Sequence, residues 1–255
     1  MTDSPSSRRF GGIARLYGEP ALQRLSQAHV CVVGLGGVGS WAAEALARSG
    51  VGALTLIDLD NVAESNVNRQ LHALTDNFGK AKTTALAERI GQINPTCRVS
   101  EIEDFVTEEN LPEIFRRPFD FVIDAIDQVR VKAAMAAHFV HSGQPFILSG
   151  GAGGQRNPAH IRTADLSAVT HDPLLANLRY TLRRRHGFSR DPKQKMRVPC
   201  VYSLENITPP QTAAACNTTP QGLSCAGYGA TMLVTTAFGL YCAQAAIEHI
   251  VAGKR

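Results

Sequence analysis

The chain is short of the residues that mark several protein classes. Of 255 residues only six are cysteine, and no C-x-x-C pair occurs. A structural zinc site is therefore not expected, and the thiols read as free in a reducing compartment. Charged residues make up 19% and aromatics 6%, against 44% apolar. That balance excludes an intrinsically disordered chain, which cannot bury a core. The 13 prolines and 22 glycines follow no triplet period, which excludes collagen. The N-terminus, MTDSPSSRRFGG, has no apolar signal core, so a cytoplasmic protein is expected. There is no internal repeat. The formal net charge of +4 permits a nucleic-acid partner without demanding one. No charged side chain occurs from Asn206 to Ile247. Residues 230–247 come near the lower limit for a membrane span, but three Thr, a Gln and a Gly make a buried or interfacial helix the better reading.

What is present is an alternation. His29 to Val33 is a β-branched run that ends in Gly34, and Ser40 to Ser49 is helix-forming. Gly52 to Asp58 is a second apolar run, ending in an acid. Lys80 to Ile93 reads as a helix stopped by Asn94 and Pro95, and Arg98 to Ile102 as a strand. A short helix over 108–115, a strand over 119–126, a helix over 132–141 and a strand over 145–149 follow. Strands that alternate with helices and read as continuous apolar runs predict an α/β fold: a doubly wound, mostly parallel, Rossmann-like sheet. Residues 10–154 are expected to form the nucleotide-binding part. Residues 155–255 form a smaller C-terminal extension on the same core, loop-rich over 155–200 and with a long helix from Ala230 to Ile250.

Gly34, Gly36, Gly37 and Gly39 fit G-x-G-x-x-G between a strand and a helix. Such a turn lets phosphates approach backbone amides at a helix N-terminus. Asp58 closes the next strand, where a carboxylate accepts from ribose hydroxyls. This much suits NAD or ATP. Arg69 and Lys82 add two cations, which suit a triphosphate better than a pyrophosphate, because transfer from a triphosphate builds negative charge on its oxygens. Asp124 and Asp127 follow at the end of a strand, where a carboxylate can hold Mg²⁺ together with the phosphates.

The segments GLGGVGS, DLDNVAESNVNRQ, GKAK and DAID together resemble the nucleotide-binding domain of the ubiquitin-activating-enzyme superfamily, whose bacterial members adenylate sulfur carriers. The resemblance implies that Gly37 and its neighbours contact ATP and that Asp58 binds ribose. It also implies that Ser65, Asn66, Arg69 and Gln70 line the phosphate site, that Lys82 contacts phosphate and that Asp127 coordinates Mg²⁺. The implied reaction is attack of a carboxylate on the α-phosphate of ATP. Further segments, RFGGIARLYG, SWAAEALAR, RIGQINP and GGAGGQ, are similar to a tRNA-modifying branch, the threonylcarbamoyladenosine dehydratases. That likeness implies cyclisation of a threonylcarbamoyl group on tRNA, with AMP and pyrophosphate released, by a homodimer with two ATP sites. Two departures from the carrier-activating enzymes stand out. The two C-x-x-C zinc pairs are missing, and an R-x-x-R near the N-terminus, whose second arginine reaches the partner's ATP, is replaced by Arg9 to Gly12. Arg9 and Arg15 are the nearest substitutes.

Between Arg179 and Arg197 eight cations face one acid: Arg179, Arg183, Arg184, Arg185, Arg190, Lys193, Lys195 and Arg197 against Asp191. These are candidate phosphate contacts to tRNA rather than DNA, with Tyr180 and Phe188 available to stack on bases. The alternative is a solvated loop. Cys200, Cys216 and Cys225 are candidate thiols for transfer chemistry. Cys225, in a Gly/Ser loop before a helix, is the foremost, and a sulfur-transfer partner protein would dock there. Cys31, Cys242 and Trp41 read as core. Four functions compete: a tRNA cyclase, an adenylyltransferase of a small carrier protein, a non-catalytic sulfur-relay scaffold, and a nicotinamide oxidoreductase.

Overall fold

The computed structural model describes residues 5–191, 193–209 and 228–253. Among them seven strands form one sheet: β1 (His29–Val33), β2 (Ala53–Ile57), β3 (Arg98–Ile102), β4 (Phe121–Asp124), β5 (Phe146–Ser149), β6 (Ile161–Asp165) and β7 (Pro199–Ser203). Their order is β3-β2-β1-β4-β5-β7-β6. All pairs are parallel except β6 with β7. The helices are α1 (Pro5–Tyr17), α2 (Glu19–Gln27), α3 (Gly39–Arg48), α4 (Lys82–Ile93), α5 (Leu111–Ile114), α6 (Val129–Ser142), α7 (Pro173–Arg185) and α8 (Met232–Val251).

Strand alternation sorts the core into two layers. Val30, Val32, Leu54, Leu56, Ile123 and Val201 face α2, α3, α4 and α8. Cys31, Val33, Val122, Leu148 and Cys200 face α5, α6 and α7. Strands covered on both faces need apolar residues at successive positions, which is why β1 and β2 read as unbroken runs. The strand β3 lies at the sheet edge and is exposed at Arg98, Ser100 and Glu101, so its sequence alternates instead.

The helix α3 is alanine-rich and buries Ala42, Ala43, Leu46 and Ala47. It stops where Gly50 takes φ +83° and the Val51 N–H returns to the Leu46 carbonyl. The C-terminal helix α8 packs along α3 at close range. A Cβ on Gly239 would lie 2.5 Å from the Val38 carbonyl oxygen, so only glycine permits this approach. No helix among the described residues is long and apolar enough to cross a membrane.

One stretch departs from expectation. The region 155–200 holds two strands and a 13-residue helix rather than mostly loop. Leu174, Leu175, Leu178 and Leu182 of α7 are buried against the core, and the polar residues fall on the helix's outer side. The C-terminal part therefore extends the same sheet by β6 and β7.

Candidate active site

The strand order reverses at β1, with β2 on one side and β4 on the other. Crevices form beyond the carboxyl ends of strands at such a point. A cleft of about 340 Å³ opens there. Its walls include Gly34, Gly36, Gly37, Asp58, Arg69, Gln70, Lys82 and Asp127. Residues drawn from four separate motifs thus converge on one space.

The glycine turn is tight. A Cβ on Gly39 would sit 1.8 Å from the Gly34 carbonyl oxygen, so Gly39 serves the strand-to-helix packing and does not line the cleft. The Arg69 stem crosses Gly37, where a Cβ would lie 3.2 Å from Arg69 Cγ. The Arg69 guanidinium donates to the Ser65 carbonyl at 2.8 Å and to Asn68 Oδ1 at 2.9 Å. The Trp41 indole donates to the Arg69 carbonyl at 3.0 Å, so this tryptophan orients the arginine as well as packing. Asn68 Nδ2 donates to the Ala230 carbonyl at 2.9 Å, which ties the loop to the start of α8.

Asp58 is held from two sides. Its Oδ2 accepts the Leu35 N–H at 2.6 Å, and its Oδ1 accepts the Asp60 N–H at 2.9 Å. Lys82 is buried, with Nζ 2.6 Å from Asp60 Oδ2 and 3.6 Å from Asp58 Oδ1. The lysine thus lies beside the Asp58 end of the cleft, balanced by two carboxylates. His72 is also buried near Lys82, and burial with that cation pushes its pKa down to about 4. Its imidazole is therefore neutral at pH 7.

Asp124 and Asp127 separate cleanly. Asp124 is fully buried and pairs with the equally buried Lys132 at 2.8 Å. Its Oδ1 also accepts the Ile126 N–H at 3.1 Å, while Oδ2 has no partner among the described residues. Burial raises its pKa, and Lys132 opposes that shift. The pair fixes the turn from β4 into α6, from which Asp127 reaches the cleft, exposed and without a hydrogen-bond partner among the described residues.

Besides Gly39, two expected site residues lie apart from the cleft. Asn66 is buried, and its Oδ1 accepts the Ala63 N–H at 3.0 Å, so it shapes the loop. Ser65 is exposed and contributes its carbonyl to Arg69. Several lining residues were not anticipated. Asp104 and Phe105 come from the exit of β3, Gly150 to Ala152 from the exit of β5, and Thr235 from α8. The GGAGG run was the visible signal for the second group. Gly151 is held in place by the buried Asp172, whose Oδ2 accepts its N–H at 2.9 Å. Asp172 Oδ1 caps α7 through the Leu175 N–H at 2.9 Å.

The basic segment divides. Arg179 donates to the Leu166 and Val169 carbonyls, each at 2.9 Å, and Arg183 to the Ser189 carbonyl at 3.1 Å. Arg184 lies over the Tyr180 ring at 5.9 Å and donates to its hydroxyl. Arg185, Arg190, Lys193, Lys195 and Arg197 are exposed. Phe188 packs against the core, which corrects the expectation that it is free to stack on a base. Of the candidate thiols, Cys200 is fully buried and burial raises its pKa well above the ordinary range, so it is inert. Cys216 and Cys225 lie outside the described residues. Arg9 and Arg15 do not line the cleft of their own chain.

The sequence profile of the ThiF family matches residues 10–254. The chain belongs to the ThiF family. Among ThiF-family relatives, the tRNA threonylcarbamoyladenosine dehydratase of Escherichia coli (strain K12) is 49% identical, over 96% of this chain and 94% of that protein. A sulfur carrier protein adenylyltransferase of Thermus thermophilus is 34% identical over 51% of this chain and 48% of its own length. The solved structure of the E. coli tRNA N6-threonylcarbamoyladenosine dehydratase with ATP is 46% identical, with a TM-score of 0.89, and covers 99% of this chain and 98% of that one. The α/β fold and the family resemblance expected from the motifs are thereby borne out.

Proposed function

We propose that this ThiF-family chain is an ATP-dependent dehydratase of tRNA, which activates the carboxylate of a threonylcarbamoyl group on adenosine and promotes its cyclisation. The observation that carries the reading is the convergence of the glycine turn, Asp58, Arg69, Lys82 and Asp127 on one cleft. The full-length similarity to a dehydratase, against half-length similarity to a carrier adenylyltransferase, favours this substrate.

In this reading the amides of the glycine turn and the N-terminus of α3 receive the phosphates. Asp58, oriented by Leu35 and Asp60, accepts from the ribose hydroxyls. Arg69 and Lys82 stabilise negative charge that grows on the leaving pyrophosphate. Asp127 is an exposed carboxylate on the cleft wall, where Asp60 and Asp104 are also exposed, and no cluster of three or more metal-ligating side chains occurs among the described residues. That donor set suits Mg²⁺, which is held by one or two carboxylates plus phosphate oxygens and water rather than by a protein cage. When bound, Mg²⁺ supplies charge neutralisation at the phosphates.

The substrate carboxylate attacks the α-phosphorus, and pyrophosphate leaves. The ureido nitrogen of the same side chain then attacks the activated acyl carbon, loses its proton and expels AMP. The net change is loss of one water. Tethering the nucleophile to the electrophile gives the second step a large proximity advantage without a protein thiol. The exposed cations from Arg184 to Arg197 are assigned to tRNA phosphates. We also assign the protein to the cytoplasm with its tRNA, and to a homodimer. Leu233 and Leu240 on α8 are 61% and 48% exposed, which supports an interface there. A sulfur-transfer partner near Cys225 remains part of the proposal.

The test is AMP release from labelled ATP in the presence of threonylcarbamoylated tRNA, unmodified tRNA or a sulfur-carrier protein. Release that requires the modified tRNA is expected. Release with the carrier protein alone would select the adenylyltransferase reading.

A further inference from the structure

We propose that Arg9, Arg48 and Arg89 form a phosphate cradle for an RNA backbone, at the opposite edge of the sheet from the cleft. The inference rests on the reading of tRNA as substrate. The three side chains line one surface concavity of about 410 Å³, together with Phe10, Gln92 and Ile93. Arg48 ends α3, Arg89 lies in the C-terminal half of α4, and Arg9 comes from α1. Phe10 is buried against the Gly50 turn, which brings Arg9 to this place.

Each guanidinium is oriented by the protein on one side. Arg9 donates to the Ile93 carbonyl at 3.0 Å and the Gln92 carbonyl at 3.4 Å, at the negative end of α4. Glu44 orients the other two. Its side chain is 8% exposed and receives Arg48 Nε at 2.7 Å, Arg89 Nε at 2.7 Å and Arg89 Nη2 at 3.1 Å. The concavity therefore gathers three guanidiniums beside one carboxylate, which bonds two of them, and positive charge remains uncompensated. Donors are also in surplus, since each guanidinium carries five N–H groups. Arginine forks match phosphate oxygens in geometry and charge, so a phosphate is the ligand class that uses both surpluses.

The exposure of the set favours a backbone phosphate over an enclosed small anion. The Arg48 and Arg89 side chains are 58% and 37% exposed. Because α3 is about 15 Å long, the cradle lies on the order of 15 Å from the glycine turn. A contact at that distance fixes the position of the RNA without touching the reacting groups.

The double variant Arg9→Gln/Arg48→Gln tests this and leaves the Arg89–Glu44 pair in place. Its dissociation constant for tRNA is measured over a range of salt concentrations, with ATP affinity alongside. We expect about tenfold weaker tRNA binding at low salt, a log–log salt slope shallower by about 1 to 2, and, for Arg48→Gln alone, unchanged ATP affinity. Parental affinity and slope would overturn the proposal. So would a loss that tracks a changed oligomeric state in light scattering, which would assign the arginines to a second copy. Stabilisation of the parent by inorganic phosphate, with tRNA binding of the variant intact, would mark a small-anion site only and also overturn it. If the double variant is unstable, Arg9→Gln alone, which gives up only carbonyl contacts, is expected to make the slope shallower by up to about 1. A parent that binds no tRNA would instead defeat the functional reading itself.

Discussion

The two edges of the sheet treat charge in opposite ways. At the carboxyl edge Lys82 is held by Asp58 and Asp60, and Arg69 is folded onto Ser65 and Asn68. At the amino edge one carboxylate, Glu44, pairs with both Arg48 and Arg89, and the neighbouring Arg9 bonds only backbone carbonyls. A site that takes in and releases a charged nucleotide is balanced in advance, so that the ligand exchanges one set of partners for another. A surface that only steadies a polyanion can leave its charge open to solvent.

The comparison is broken hardest beneath the carboxyl edge. Lys132→Met strands the buried Asp124 carboxylate and is expected to cost about 3–5 kcal/mol of stability, read by denaturant unfolding. A loss under about 1 kcal/mol would mean that Asp124 is protonated and that the pair is not ionic. Asp127→Ala removes an exposed cleft group instead. We expect AMP formation to fall by about 10²–10³, with the unfolding midpoint unchanged. Undiminished turnover would remove Asp127 from the metal assignment.

His72 sharpens the same contrast through pH. Its folded pKa, about 4, lies below the ordinary value of 6.5, so the unfolded chain binds the extra proton between these limits. Stability present above pH 6.5 is therefore lost as pH falls towards 4, by at most about 3 kcal/mol from this group. His72→Phe is expected to flatten the unfolding midpoint over that window. An unchanged pH profile would show that the imidazole is not held neutral. The smallest effect is expected from Arg183→Ala, Arg184→Ala and Arg185→Ala combined. Because Arg183 and Arg184 already bond within the chain, we expect tRNA affinity to fall by about tenfold, with a flatter salt dependence.

How far the molecule was legible depends on what each residue answers to. The βαβ start was readable because strands buried on both faces demand apolar runs, and the Gly34 to Gly39 turn has one steric solution. The basic C-terminal region was not. The arginines that end α7 dominate the composition and mask the leucine spacing at 174, 175, 178 and 182 that makes it a helix. Asp58, Arg69, Lys82 and Asp127 were legible through their motif. The choice between Asp124 and Asp127 was carried by resemblance alone, because only the fold tells a buried strand-end carboxylate from one that has turned the corner. Trp41, Asp172 and Thr235 act through contacts across the sequence, and no local pattern announces them.

The central claim is tested most directly by mass analysis of tRNA nucleosides after incubation of the protein with ATP and threonylcarbamoylated tRNA. The account predicts a nucleoside lighter by one water, formed only with ATP and matched by one AMP per event. An unaltered nucleoside, with ATP consumed only when a carrier protein is added, would contradict it.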